Sequence, residues 1–386
     1  MARYDFLIIN RSFWPIYPVI GEGLLRLAEE LACTKKVGVI LQDHVGIKKK
    51  LKSENRGLGV IFFPGWAISN SSSNILIRVL DSIFFMFWVI GCLLLTRPRN
   101  IYVSTDPPVI IPFVIAIYSK VFKTKFIYHV QDIHPEASNA VMKLNSLIFY
   151  LLKIIDNFTL RHANLLVTLT SEMRVEIINR SNTKKNILII DNPSISFKRS
   201  LPSTEKIRGF SFTGNLGRLQ RIPLILEAIE DYRKKGGRLN FLFAGGGIYS
   251  NLVSKFSKLN SLISYKGFIS PENSALLSSK YEWALLPIDD KITNYAFPSK
   301  TSSYVFSGAK ILAICGEHTS VAQWVKFNNL GIVISPKVSK IVEFFFKLEN
   351  GQVDSTMFDV DRKKLKKRLH IDVFVQNLKS VFLSNL

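Results

Sequence analysis

Short runs of continuously apolar or β-branched residues recur along the chain, each followed by a stretch of helical spacing and divided from it by Gly, Pro, Asn or Ser. Runs without polar alternation are what strands buried on both faces require. In the first half they predict strands over 4–10, 37–41, 58–63, 101–104, 126–130, 165–168 and 187–190. Helical spacing between them predicts a helix with Leu24, Leu25, Leu27, Ala28 and Leu31 facing inward, a proline-led helix over 108–121, a long helix over 144–162, and one over 171–180 capped by Ser171. Asp191-Asn192-Pro193 breaks the pattern, and 194–206 is rich in Ser, Pro and charge, which predicts a domain boundary. The rhythm then restarts, with strands over 210–213, 239–244, 263–267, 283–287 and 311–314, a helix from Pro223, and one over 301–307 that ends at Gly308. Because strand and helix alternate throughout, the fold class is α/β and the sheets should be parallel. The expected domains are residues 1–195 and 205–370, with a last helix over 371–386 packing back on the first domain.

Composition supports this and adds one unusual value. Of 386 residues, 47% are hydrophobic and 21% charged, enough core for two domains and too apolar for disorder. The net charge of +22 is what stands out; it favours polyanionic partners, namely nucleic acid, anionic lipid or phosphorylated substrates. Lysines 48, 49, 50 and 52 fall in an expected loop, as a solvated face or a lipid-phosphate contact, and a second basic run covers 362–368. Cys33, Cys92 and Cys315 are far apart and outside any CxxC pattern, so neither a disulfide framework nor a zinc site is expected. The start ARYDFLIIN reads as a first strand rather than a signal peptide, so no export is expected, and the cysteine pattern makes a reducing cytoplasm the expected setting. Residues 83–95 are apolar but short of the roughly 20 residues that span a bilayer, so they predict a helix that is either buried or interfacial.

The candidate chemistry lies at strand ends, where open parallel sheets bind ligands. FIYHVQDIHPE, 126–136, opens as a strand and closes on His129, Gln131, Asp132, His134, Pro135 and Glu136. Its readings are a titratable centre or an ordinary helix cap and turn. IGEG, 20–23, sits between strand and helix, where glycine admits a ligand or another backbone. Gly214-Asn215-Leu216-Gly217-Arg218 follows a strand and precedes a helix, and with Arg221 it combines close N–H donors with guanidinium groups, a pattern suited to phosphate. Gly245-Gly246-Gly247 ends the next strand, and Gly267-Phe268-Ile269 offers backbone amides and a ring to a nucleobase. Asp289-Asp290 has too few companions for a metal site. In Phe297-Pro298-Ser299-Lys300 a cation occupies the first turn of a helix, where the dipole disfavours it unless an anion is bound.

Together these segments resemble the retaining glycosyltransferases of family 4, which have the GT-B architecture of two Rossmann-like domains facing each other across a cleft. The resemblance covers almost the whole chain and rests on IGEG, QDIHPE, IIDNP, FTGNLG, AGGG and FPSKTSSYVFSGAKIL. It is strongest to enzymes that extend lipid-linked oligosaccharides for bacterial surface polysaccharides such as O-antigen. It implies a donor nucleotide-sugar, UDP- or GDP-linked, lying between the domains, with no separate cofactor and no metal. By resemblance Gly214, Asn215, Gly217 and Arg218 would meet the pyrophosphate, reinforced by Lys300, with Phe268, Ser299 and Ser303 also on the donor side. Gly21, Glu22, Gly23 and Glu136 would border the acceptor, a polyprenyl-diphosphate oligosaccharide. Asp132 and His129 would lie at the transferred sugar. Many members carry two glutamates eight positions apart in the donor region; here the matching residues are Tyr295 and Ser303, with Glu317 further on.

Peripheral attachment to the inner face of the cell membrane is expected through a basic N-terminal surface, reversed by salt. Two rivals keep the fold or the charge while changing the function. A GT-B sugar-nucleotide epimerase would need no acceptor. A nucleic-acid-binding protein would use the charge, but no zinc finger, helix-turn-helix or aromatic-basic RNA motif is present, so nucleic acid is not an expected partner.

Overall fold

A computed structural model describes residues 3–69, 75–194, 205–354, 356–358 and 362–385. Most of the expected linker therefore lies outside the described residues. Backbone contacts divide the chain into two compact units, Met1–Pro193 with Ile371–Leu386, and Ser194–His370.

The first unit holds strands β1 (Phe6–Ile9), β2 (Val37–Asp43), β3 (Ile61–Trp66), β4 (Asn100–Ser104), β5 (Lys125–Val130), β6 (Leu165–Thr168) and β7 (Ile187–Ile189). Its helices are α1 (Ile20–Ala32), α2 (Ile47–Ser53), α3 (Ile75–Thr96), α4 (Ile110–Phe122), α5 (Glu136–Val141), α6 (Ser146–His162) and α7 (Ser171–Ser181). The strands pair in parallel in the order β3-β2-β1-β4-β5-β6-β7, with Ile9 beside Val103 and Ser104 beside His129. With right-handed crossovers, this order puts α1 and α2 on one face and α3, α4 and α6 on the other. The reversal between β1 and β4 is the switch point, where loops diverge and leave room for a ligand.

The second unit repeats the plan. Its strands are β8 (Ile207–Thr213), β9 (Asn240–Ala244), β10 (Ile263–Tyr265), β11 (Tyr281–Pro287), β12 (Lys310–Ile314) and β13 (Gly331–Ile334). They pair in parallel as β10-β9-β8-β11-β12-β13, and the switch point falls between β8 and β11. The helices are α8 (Ile222–Lys234), α9 (Ser250–Leu259), α10 (Pro271–Ser279), α11 (Lys300–Ser307), α12 (Ser320–Phe327), α13 (Val338–Glu349) and α14 (Arg362–Arg368). Phe210, Phe241, Phe345 and Tyr232 fill the core between sheet, α8 and α13. The chain ends in α15 (Ile371–Asn385), whose Phe374, Leu378 and Phe382 join the first unit's core beside α1.

Several local expectations change. The lysine cluster is not a loop but α2: Asp43 accepts from the N–H of Ile47 at 2.9 Å, and Ile47 and Leu51, four apart, turn inward while the lysines face out. Thr170, not Ser171, caps α7, accepting from the N–H of Met173 at 3.2 Å. The apolar run at 83–95 is the C-terminal part of a 22-residue helix. A single stripe of that helix, Phe85, Val89 and Leu93, is buried. The second basic run forms α14, with Leu365 inward.

Candidate active site

In the second unit the strand-end turns after β8, β9 and β10 lock together through backbone. Gly214 donates to the carbonyl of Ala244 at 2.9 Å, Leu216 to that of Gly246 at 2.8 Å, and Gly245 to that of Gly267 at 2.7 Å. Gly214 and Gly245 both adopt positive φ, 127° and 135°, and a side chain on Gly245 would collide with the carbonyl of Gly214, so both positions call for glycine. Around this ledge stand Asn215, Arg218 in a short 3₁₀ turn over Arg218–Gln220, and Phe268, which is 85% exposed.

Lys300 begins α11, and its Nζ is buried 4.0 Å from the centroid of the Phe212 ring, with no hydrogen-bond partner. It also lies against Gly214, 3.5 Å from where a Cβ would stand. Burial lowers its pKa from 10.5 to about 7. An ammonium held unpaired beside this turn has the charge and the free donors to meet an anion. Tyr304, one turn further along α11, fixes this arrangement: its hydroxyl donates to the Leu285 carbonyl at 3.2 Å and receives the N–H of Thr213 at 3.3 Å. Ser299 precedes α11 without capping it, and Ser303 lies half-buried on the helix.

Arg221 does not join this group. It pairs with Asp290 at 3.1 Å and donates to the Ile288 carbonyl at 2.8 Å, while Asp290 also accepts from the N–H of Gly316 at 3.0 Å. That engagement explains the Asp289-Asp290 pair, and among the described residues no group of three or more His, Cys, Asp or Glu side chains could hold a metal ion. Glu317 is exposed and pairs with Lys326 at 3.1 Å.

In the first unit the switch point gathers residues from three strand ends. After β4, Asp106 receives the N–H of Ser12 at 2.8 Å and pairs with Arg11 at 3.2 Å. After β5, the N–H groups of Gln131 and Asp132 both donate to Thr105 Oγ1 at 3.3 Å. Burial, reinforced by the charge of Asp106, raises the Asp132 carboxyl to about 6. Asp132 does not cap α5, whose N-cap is Pro135. Sequence reading overlooked Arg11, Thr105 and Asp106; the signal was their position just after the two strands that flank the reversal, visible once strand order is known.

The other first-unit candidates are enclosed by neighbouring side chains and backbone. His129 is fully buried, its Nδ1 2.6 Å from the Tyr102 hydroxyl and its ring beside Phe374 of α15. Burial lowers its pKa to about 3, so it stays neutral. The strand's two-residue alternation sends Ile127 and His129 toward the α15 face, which the strand-end pattern alone could not reveal. Glu136 is buried in an ion-pair cluster, 2.6 Å from Arg180 and 3.4 Å from Lys153; Arg180 also binds Asp156, which accepts from the Tyr128 hydroxyl at 2.9 Å. IGEG is the first turn of α1 and serves packing. A Cβ on Gly21 would meet the backbone of Phe13 at 2.7 Å and one on Gly23 the ring of Phe374 at 2.7 Å, while Glu22 pairs with Arg26 at 2.8 Å and Arg56 at 3.3 Å.

Two doubly wound parallel units in one chain, the first completed by the C-terminal helix, are the GT-B architecture of glycosyltransferases. In sequence the chain is a homologue of a glycosyltransferase: it is 22% identical over 281 residues to the probable glycosyltransferase WbjE of Pseudomonas aeruginosa, covering 68% of this chain and 69% of that one. No protein-family model matches. Among solved structures, Anabaena HepE in complex with UDP-glucose superposes with a TM-score of 0.69 at 13% identity, over all of both chains. WaaG, a glycosyltransferase involved in lipopolysaccharide biosynthesis, superposes with a TM-score of 0.66 at 10% identity, over 98% of this chain and 100% of that one.

Proposed function

We propose that this protein is a retaining glycosyltransferase that moves a hexosyl or N-acetylhexosaminyl group from a UDP- or GDP-sugar to a polyprenyl-diphosphate-linked oligosaccharide during assembly of a bacterial surface polysaccharide. The carrying observation is Lys300, an unpaired buried cation held against the glycine ledge at the second unit's switch point. HepE, which shares the fold, binds UDP-glucose, and that likeness supports a nucleotide-sugar donor here. In this reading Gly214 lets the diphosphate approach the turn closely, and the amides of Asn215 and Gly217 and the Lys300 ammonium take it, so that the charge developing on the leaving group meets preorganised donors without a metal ion. Arg218 adds a guanidinium from the adjoining turn, Phe268 offers its exposed ring to the base, and Ser299 and Ser303 face the donor from the start of α11. Asp132, backed by Asp106 and Arg11, stands at the acceptor side and orients the attacking hydroxyl.

The test is incubation of the purified protein with a panel of nucleotide-sugars and a short polyprenyl-diphosphate glycan. Transfer with retention at the anomeric carbon supports the proposal. Epimerised nucleotide-sugar formed without acceptor would replace it with the epimerase reading.

A further inference from the structure

We propose that the outer edge of the second unit's sheet, β13 with the groove beside it, is an interface between two copies of this chain, in which the two β13 strands pair antiparallel about a two-fold axis. β13 is the last strand of the six-stranded sheet and pairs with β12 alone. On that side the carbonyls of Leu330 and Ile334 accept from the N–H groups of Ile311 at 2.9 Å and Cys315 at 3.2 Å. Backbone groups alternate sides along a strand, so the N–H and C=O of Gly331 and Val333 face away from β12. Such a row is a template for another strand unless something blunts it. The other sheet edges are blunted: β3 contains Pro64, and β7 and β10 have three residues each, with Lys266 directly after β10. β13, Gly-Ile-Val-Ile, carries no charge or proline, keeps a regular register with β12, and is partly exposed along its whole length.

The groove beside the strand supplies apolar area to go with these backbone groups. It has a volume of about 560 Å³ and is lined by Ile332 and Ile334 of β13, by Phe344 of α13, and by Val353, Met357 and Phe358. Ile332, Ile334 and Val353 pack on the unit's core but are not closed over, and Met357 is 60% exposed. Strand pairing along an edge gains its affinity from main-chain hydrogen bonds and its selectivity from pockets of this kind.

Charge selects the occupant. Copies of a chain with a net charge of +22 repel each other unless the faces that meet are balanced in sign. This face is balanced: among the described residues lining the groove, Glu317, Glu343 and Asp354 stand against Lys340 and Lys347. On α13 the exposed row runs Lys340, Glu343, Lys347, with Glu343 2.9 Å from the first lysine and 2.7 Å from the second. Antiparallel apposition of two such rows, displaced by one helical turn, sets each Glu343 beside a lysine of its mate, as an isologous interface requires. A uniformly acidic or basic partner would leave part of the row facing its own sign. β11 and β12 separate β13 from the switch point beside β8, and none of this depends on the chemistry assigned there.

Sedimentation velocity of the full-length protein over a range of concentrations tests the interface. The wild type should show a monomer–dimer equilibrium. Val333→Pro removes an outward N–H while keeping the bonds to β12, and Glu343→Lys makes the α13 row wholly basic. Each should raise the dimer dissociation constant by about tenfold or more, with secondary structure unchanged by circular dichroism. Lys340→Glu/Lys347→Glu, wholly acidic on the same row, should also be monomeric alone and should associate when mixed with Glu343→Lys, whose charges it complements. A wild type that is monomeric at every concentration would give the edge to a strand of some other protein and overturn the proposal. So would a dimer that folded Val333→Pro or Glu343→Lys retains, or a mixture of the two charge variants that fails to associate.

Discussion

The Lys300 ammonium sits over the Phe212 ring, 4.0 Å from its centroid, at a place where no hydrogen-bond acceptor meets it. The aromatic face takes the place of an acceptor. This arrangement favours function at the expense of stability: removing a buried unpaired charge relieves its desolvation, so Lys300→Met should leave the melting temperature of the free protein unchanged or raised. The same variant should weaken nucleoside-diphosphate binding by about 1.5–3 kcal/mol, the range of a charge-assisted hydrogen bond. Thermal melts with and without UDP and GDP check both halves.

The lowered pKa of Lys300 sets a pH dependence. The unfolded chain holds the lysine proton up to 10.5 and the folded chain only to about 7, so between these values the unfolded state binds more protons. For this group the free protein gains stability as pH rises through that window. A bound diphosphate restores the charged form, so above pH 7 binding should take up a proton. Calorimetric titrations in buffers of different ionisation enthalpy should show that uptake in wild type and not in Lys300→Met.

Asp132 gives the opposite sign. Its carboxyl is raised from 3.8 to about 6, so the stabilisation from its protonated form is present at low pH and lost as pH rises through 6. If the ionised form orients the acceptor, turnover should fall on acidification with an apparent midpoint near 6. Asp106→Asn keeps an oxygen for the Ser12 amide while removing the like charge, and should move that acid limb to lower pH. A pH-rate profile of the two proteins decides the point.

Glu136 and Arg180 should matter for folding rather than for acceptor use. Arg180→Met leaves the Asp156 carboxylate buried without a cation and Glu136 with Lys153 alone, and should cost about 3–5 kcal/mol, the usual penalty for breaking a buried pair from one side. Urea unfolding measures the loss. His129→Leu should likewise lower stability, by stranding the Tyr102 hydroxyl, while the acceptor KM of the folded enzyme stays unchanged.

Most strands were legible in the sequence because parallel strands buried on both faces read as plain apolar runs, as at Leu165–Thr168. GNLG and FPSK were legible for a different reason: the residue types contradict their surroundings, a cation at a helix start and glycines where strands end. What stayed hidden depends on contacts distant in sequence. His129 and Glu136 have the polarity of site residues, and only Phe374, 245 positions after His129, and Arg180, 44 after Glu136, show them to be enclosed. Gly23 looked like a ligand turn because its partner is also Phe374. Conversely, Arg11 and Asp106 looked ordinary until strand order put them at the reversal between β1 and β4.

The central claim, that the second unit's glycine ledge and Lys300 bind a nucleoside diphosphate, is tested most directly by isothermal titration of UDP and GDP into the wild type and Lys300→Met at neutral pH. The account predicts saturable binding of at least one nucleotide to the wild type, weakened about tenfold or more in the variant. Equal affinity in the two proteins, or no binding of either nucleotide to the wild type, would contradict it.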